Sequence, residues 1–178
     1  LEAIEDLHLL TSKPILYVCN VDENTLKSSN NHVEAVRNAT KNEDSEILLI
    51  ATAIESEIAE LENVEEQQMF LKEMGLEKPG IHHLIKATYS LLNLQTFFTA
   101  GKKEVKAWTI QKGMKAPQAA GVIHSDFEKG FIRAEVISYS DFNSLGSELA
   151  CKESGKIKIQ GKDYIVQDGD VVHFLFNV

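Results

Sequence analysis

The chain has 178 residues, 43% of them hydrophobic, with 27 Asp and Glu against 18 Lys and Arg for a net charge of -9. That length builds one ordinary core or two small ones, each near the lower limit for independent stability, and the acidic average excludes a general nucleic-acid coat. No apolar run approaches the roughly 18 residues needed to cross a bilayer, and the acidic start LEAIEDLHLL lacks the basic flank of a signal peptide, so no membrane partner is expected.

The average hides an asymmetry: residues 1–93 carry 17 acids and 7 bases, net -10, whereas residues 94–178 carry 10 acids and 11 bases, net +1. Any polyanionic partner is expected to meet the second half. Cys19 and Cys151 are far apart and belong to no CxxC pair, which argues against a disulfide framework or a thiolate metal site and fits a reducing cytoplasm. The first residue is Leu, in mid-helix pattern, which leads to the expectation that the chain is a piece of something longer.

In chain order, Ile4, Leu7 and Leu10 fall at helical spacing, and Pro14 stops that helix. ILYVC at 15–19 and EILLIAT at 46–52 read as strands buried on both faces, with a helix over about 30–42 between them. Strand, helix, strand is the signature of a parallel βαβ crossover. Ile54, Ile58 and Leu61 begin a helical tail, followed by a short helix through Phe70 and Met74 that Gly75 stops. A third helix starts near Pro79 and runs through Leu92. From Leu94 the texture changes. VKAWTI at 105–110, FIRAEVIS at 131–138, KIKIQ at 156–160, YIVQ at 164–167 and VVHFLFNV at 171–178 read as short strands, with one helix over about 116–123. The last three are expected to form a meander of hairpins, and the set as a whole a β-grasp sheet gripping a helix, with the boundary between the halves near 93–96.

Asn20 ends the first strand, where open α/β sheets bind ligands beyond the strand ends. Its amide both accepts and donates, which suits the exocyclic amine and N7 of a purine; the alternative is that it caps a turn. The series Asn20, Val21, Asp22, Glu23 resembles N-K-x-D with an apolar residue for the Lys and a longer acid for the Asp. Adenine lacks the far-edge donors that such an Asp meets in guanine, so this loop favours ATP over GTP. The second strand end offers backbone N–H groups of Ala51, Thr52 and Ala53, or is an ordinary strand-to-helix turn.

No GxxxxGK[ST] cradles phosphates, so no catalytic residue is assigned in this chain. The six histidines are scattered, and the acidic run ESEIAELENVEEQQ reads as a solvated helix face, so no metal site is expected. His124, Ser125 and Asp126 are neighbours, which makes a polar turn rather than a triad. Lys102, Lys103, Lys106, Lys112 and Lys115 surround Trp108; they either contact phosphates of a nucleic acid or keep an edge strand soluble.

The stretch LQTFFTAGKKEVKAWTIQKGMKAPQAAGVIHSDFEKGFIRAEVISYSDF, 94–142, and the tail GKDYIVQDGDVVHFLFNV strongly resemble the TGS domain of the YchF/Obg-like ATPase family, and KPILYVCNVDEN with ATAIESEIAELE resembles that family's base-recognition loop and the segment after it. The resemblance covers essentially the whole chain. It implies an α/β remnant of a P-loop G-domain over 13–93, followed by an α+β β-grasp TGS domain over 94–178, with 1–12 as the end of a helical, coiled-coil insertion. It further implies a ribosome-associated, translation-factor-class protein that binds and hydrolyses ATP, and GTP less well, with Mg when intact. Catalysis is expected of the full-length protein and not of this chain alone, whose metal ligands would lie elsewhere. By the same resemblance Asn20 and Glu23 take the N-x-x-E role and Val21 packs on adenine, while the TGS domain presents a surface to ribosome or RNA. The rival reading is a TGS module that binds RNA, ribosome or a regulatory ligand without catalysis. A two-strand sheet remnant would expose an edge, so the chain is expected to dimerise through it.

Overall fold

A computed structural model describes residues 7, 9–101 and 104–177. The helix expected over 2–10, and with it most of the segment assigned to a helical insertion, falls largely outside the described residues; Leu10–Ser12 forms a single 3-10 turn. The chain divides into two compact units, Leu1–Leu92 and Asn93–Val178.

The first unit is built on two parallel strands, β1 (Leu16–Asn20) and β2 (Glu46–Ile50), in register from Leu16 opposite Glu46 to Asn20 opposite Ile50. A parallel pair needs a crossover, and the chain supplies α1 (Glu23–Lys27) and α2 (Asn31–Thr40). Both starts are specified by sequence. Asp22 accepts the Thr25 N–H at 2.8 Å, and Asn30 Oδ1 accepts the N–H groups of His32 and Val33, so orphan donors of each first turn are satisfied. Three more helices follow: α3 (Thr52–Glu60), α4 (Val64–Glu73) and α5 (Gly80–Leu91). Ala51, Ile54, Ile58 and Leu71 form the small core of this part.

β1 differs from its expectation as a strand buried on both faces: Val18 is 47% exposed. The physical reason is that among the described residues this sheet has two strands, so side chains of β1 find no neighbouring strand there across its second edge.

At the head of α5 the pyrrolidine of Pro79 offers no cap, and the carboxylate of Glu55 from α3 takes that part. Its Oε1 accepts the Gly80 N–H at 2.6 Å and its Oε2 the Ile81 N–H at 3.2 Å. A Cβ on Gly80 would stand 2.9 Å from that Oε1, so glycine is what admits the carboxylate.

The second unit is a five-stranded mixed sheet, ordered β4-β3-β7-β5-β6. Its strands are β3 (Leu94–Ala100), β4 (Val105–Gln111), β5 (Phe131–Ile137), β6 (Lys158–Gln160) and β7 (Val171–Phe176). β3 and β4 form an antiparallel hairpin, β7 runs parallel to β3 and antiparallel to β5, and β6 is antiparallel to β5. One face carries α6 (Ala116–Ile123) and α7 (Ser125–Lys129) over a core of Phe97, Ile110, Ala119, Ala120, Ala134, Val136, Val172 and Phe174. Phe97 is fully buried and meets Phe174 edge-on at 5.8 Å. α8 (Tyr139–Leu145) and α9 (Glu148–Glu153) belong to a smaller cluster, in which buried Cys151 packs with Ile137 and Val171.

The last strands do not form a meander. β7 inserts between β3 and β5, and β6 pairs with β5 on the far edge. YIVQ is no strand either. Ile165 makes one isolated bridge to Lys115, and the segment closes on itself: Asp170 Oδ2 accepts both the Tyr164 hydroxyl at 2.7 Å and the Gln167 N–H at 2.8 Å. Burial first, and then Asp170, push the Tyr164 hydroxyl well above its ordinary range, so it stays a donor in this loop. The buried Gln95 reaches across to it, donating to Val166 O at 2.7 Å, and Asp168 accepts the Thr96 N–H. Ladder-type pairing is confined to Tyr164 O and Val166 N, which bond the Ala116 N–H and Met114 O, and side chains satisfy Val166 O and the Gln167 N–H.

Candidate functional site

The carboxyl end of β1 opens on a cavity of about 270 Å³ lined by Cys19, Asn20, Val21, Asn30, His32, Val33 and Val36. A strand carries Asn20 there, and the crossover helix α2 closes the other wall. Asn20 Oδ1 accepts two hydrogen bonds from the start of α3: the Thr52 N–H at 3.2 Å and the Thr52 hydroxyl at 2.9 Å. A backbone N–H can only donate, so these contacts also fix which end of the amide is oxygen.

The consequence is chemical. A carbonyl oxygen has two lone pairs, and both have partners here, so the amide presents its N–H groups as its available polarity. The double role expected of Asn20, accepting from an exocyclic amine while donating to N7, is reduced to donation. Thr52 is likewise committed, since its N–H goes to Asn20 and not toward a ligand. Val21 lines the cavity and its N–H donates to Ile50 O at 2.9 Å, tying the loop to β2. Ala51 is buried as the residue before α3, and its C=O accepts the Glu55 N–H at 3.1 Å; Ala53 is exposed in the first turn.

Glu23 does not line the cavity. It opens α1 and holds Lys27 at 3.3 Å on the exposed side of that helix. Its neighbour Asp22 is engaged in capping, and hydrogen bonds from Thr25, first from the hydroxyl and then from the N–H, hold its carboxyl below the usual carboxylate range. His32 and Asn30 in the cavity wall went unnoticed in the sequence. Asn30 is recognisable as a helix cap, but only the crossover brings that cap opposite Asn20.

Of the lysines expected as one basic stretch, the three described ones are dispersed. Lys102 and Lys103 lie outside the described residues. Lys106 sits over the Trp108 ring, 3.9 Å from its centroid, near the hairpin end of β4. Lys112 follows the opposite end of that strand, and Lys115 is paired with Asp163 at 2.8 Å. Trp108 packs against the core of the second unit and donates its indole N–H to Thr99 Oγ1 at 3.0 Å. His124 caps α7, its Nδ1 accepting the Asp126 N–H at 3.1 Å, which accounts for the His-Ser-Asp run. Among the described residues no group of three or more His, Cys, Asp or Glu could hold a metal ion, and no helix is long and apolar enough to cross a membrane.

Comparison with known proteins bears on both units. Residues 94–177 match the family YchF-GTPase_C, described as a protein of unknown function (DUF933). The chain is 56% identical over 177 residues to the ribosome-binding ATPase YchF of Bacillus subtilis, covering 98% of this chain and 48% of that protein. It is 53% identical to the protein of the same name from Haemophilus influenzae, covering 100% of this chain and 48% of the relative. The chain thus spans about half the length of the curated relatives it matches. Among solved structures, the Schizosaccharomyces pombe YchF GTPase superposes with a TM-score of 0.83 at 36% identity, over 98% of this chain and 46% of the other. A GTP-binding protein from Pyrococcus horikoshii OT3, at 15% identity and a TM-score of 0.64, shares the fold.

Proposed function

The chain belongs to the YchF family, matching the C-terminal region of its members, and from that premise we propose that it supplies the base-reading half of a cytoplasmic, ribosome-associated P-loop ATPase. The first unit is then part of the nucleotide-binding domain, and the second a β-grasp TGS domain turned to the ribosome. The observation that carries this reading is the pair of bonds from Thr52 to Asn20 Oδ1, which aims the Asn20 amide N–H groups away from α3 at the end of a parallel strand beside an open cavity. A donor there suits the N7 acceptor of a purine.

Preference for ATP follows from Glu23. Guanine needs an acceptor for its far-edge N–H donors, and the Glu23 carboxylate is held by Lys27 and lies outside the cavity wall. Adenine asks for nothing there. Val21 is placed to pack on the base. The phosphates and Mg would be bound by residues of the longer protein, and hydrolysis belongs to that protein.

Hydrogen exchange on a protein of the relatives' full length tests the reading. ATP is expected to slow exchange at residues 19–23 and 51–53, and GTP to slow it less. Exchange there that is indifferent to ATP overturns the base-reading role and leaves the second reading, a binding module without catalysis, which a large aromatic cavity in the second unit favours.

A further inference from the structure

The second unit opens a cavity of about 450 Å³ beside the end of the β3–β4 hairpin, within the size range of small-ligand sites. Its origin is topological. β3 and β7 pair at a single register position, Phe98 opposite Val171, whereas β7 runs on to Phe176 along β5. Beyond Val171 the strand has β5 on one side and this opening on the other.

The walls are aromatic and fixed. Trp108 comes from β4, Phe127 from α7, and Phe174 and Phe176 from β7. Phe127 and Phe176 stack at 3.8 Å with their planes 25° apart. The bond to Thr99 both satisfies the Trp108 N–H and sets the ring's orientation. Lys106 holds its ammonium beside this wall, over the indole, and Glu104 is the one carboxylate among the lining residues.

We propose that this cavity receives a single unstacked nucleobase of an RNA strand, with a neighbouring phosphate on Lys106 and the amino edge of the base on Glu104. This rests on the ribosome-associated reading above. Aromatic enclosure is how single-stranded RNA is held, because every base has a face to stack. A lysine at the rim meets the backbone phosphate, and this half of the sequence, at net +1 against -10, is the one a polyanion can approach. A carboxylate accepts from the N4 amine of cytosine but has no partner in the O4 carbonyl of uracil, so between the two pyrimidines the site favours cytosine.

Trp108 is the chain's single tryptophan, so its emission reports on the cavity directly. The 178-residue chain would be titrated with oligocytidylate and oligouridylate of about six nucleotides, and with the mononucleotide CMP. Expected are quenching of Trp108, several-fold tighter binding of the cytidine oligomer, and weak binding of CMP. Phe127→Ala should weaken the oligomer roughly tenfold, Lys106→Gln should lower the salt dependence by about one phosphate contact, and Glu104→Gln should level cytosine and uracil. An unchanged far-ultraviolet circular dichroism spectrum of the unliganded Phe127→Ala protein checks that it folds, and the Lys106→Gln variant gives a reading that removes no core packing. Absence of quenching overturns the proposal, as does binding that both variants leave unchanged. CMP binding as tightly as the oligomer overturns the RNA assignment in favour of a free nucleotide. Co-sedimentation of the longer protein with ribosomes reads the premise separately: association without oligonucleotide binding overturns the base site alone and points to a protein contact, whereas loss of association overturns the premise.

Discussion

The carboxamide of Asn20 has two ends, and the fold assigns each. Its oxygen is held by the N–H and hydroxyl of Thr52, 32 residues away in sequence, which leaves the nitrogen as the end available to the proposed purine. On the proposed base-reading role, Thr52 acts through Asn20 as a positioning residue. In a protein of the relatives' length, Thr52→Val keeps the shape and removes the hydroxyl donor; losing one such bond should weaken purine nucleotide binding roughly tenfold. Thr52→Ser should restore it. If the Val variant binds ATP as the parent does, the hydroxyl does not orient the amide. Glu23, which the N-x-x-E spacing groups with Asn20, holds Lys27 in an exposed ion pair, and Asp22 beside it caps a helix.

At the scale of elements, the long periodic segments form where their patterns place them: β1, α2, β2, α5 and β5 all fall within a few residues of the expected spans. The short ones do not announce themselves. α7, α8 and α9 run five to seven residues, too few for a face to repeat, and begin at caps such as Ser138 and Ser147 that look like ordinary turn residues. YIVQ has the composition of a strand, and Tyr164 O and Val166 N do pair with the backbone of Ala116 and Met114, yet Gln95 and Asp170 take Val166 O and the Gln167 N–H into side-chain bonds and end the ladder there. The same contest decides the head of α5, where Glu55 replaces a local cap. Glu55→Ala leaves the Gly80 and Ile81 N–H groups without that partner and should cost about 1–2 kcal/mol of stability. Urea denaturation checks this, and an unchanged midpoint would show that water caps the helix equally well.

For the whole molecule, the open edge of β1 is the feature with consequences. Among the described residues, two parallel strands with Val18 of β1 and the preceding Ile15 nearly half exposed form a surface that proteins ordinarily cover, by further strands or by a second copy. The 178-residue chain alone is therefore expected to self-associate through this edge. Sedimentation at rising concentration measures it, and a monomer throughout would mean that the strand is protected by its own twist and flanking charge.

The sequence by itself determined the parallel crossover, the change of texture near Leu94, the absence of a phosphate-cradling motif and the family resemblance, because each is written in local periodicity or in a contiguous motif. Only the tertiary structure decided that β7 inserts between β3 and β5, that Asn20 has spent its oxygen on Thr52, that Lys106, Lys112 and Lys115 are dispersed, and that an aromatic cavity opens where β3 leaves β7. These depend on pairs of residues tens of positions apart, and strand order and hydrogen-bond partners at that range are set by which packing satisfies the most buried groups together, a sum that no local pattern contains.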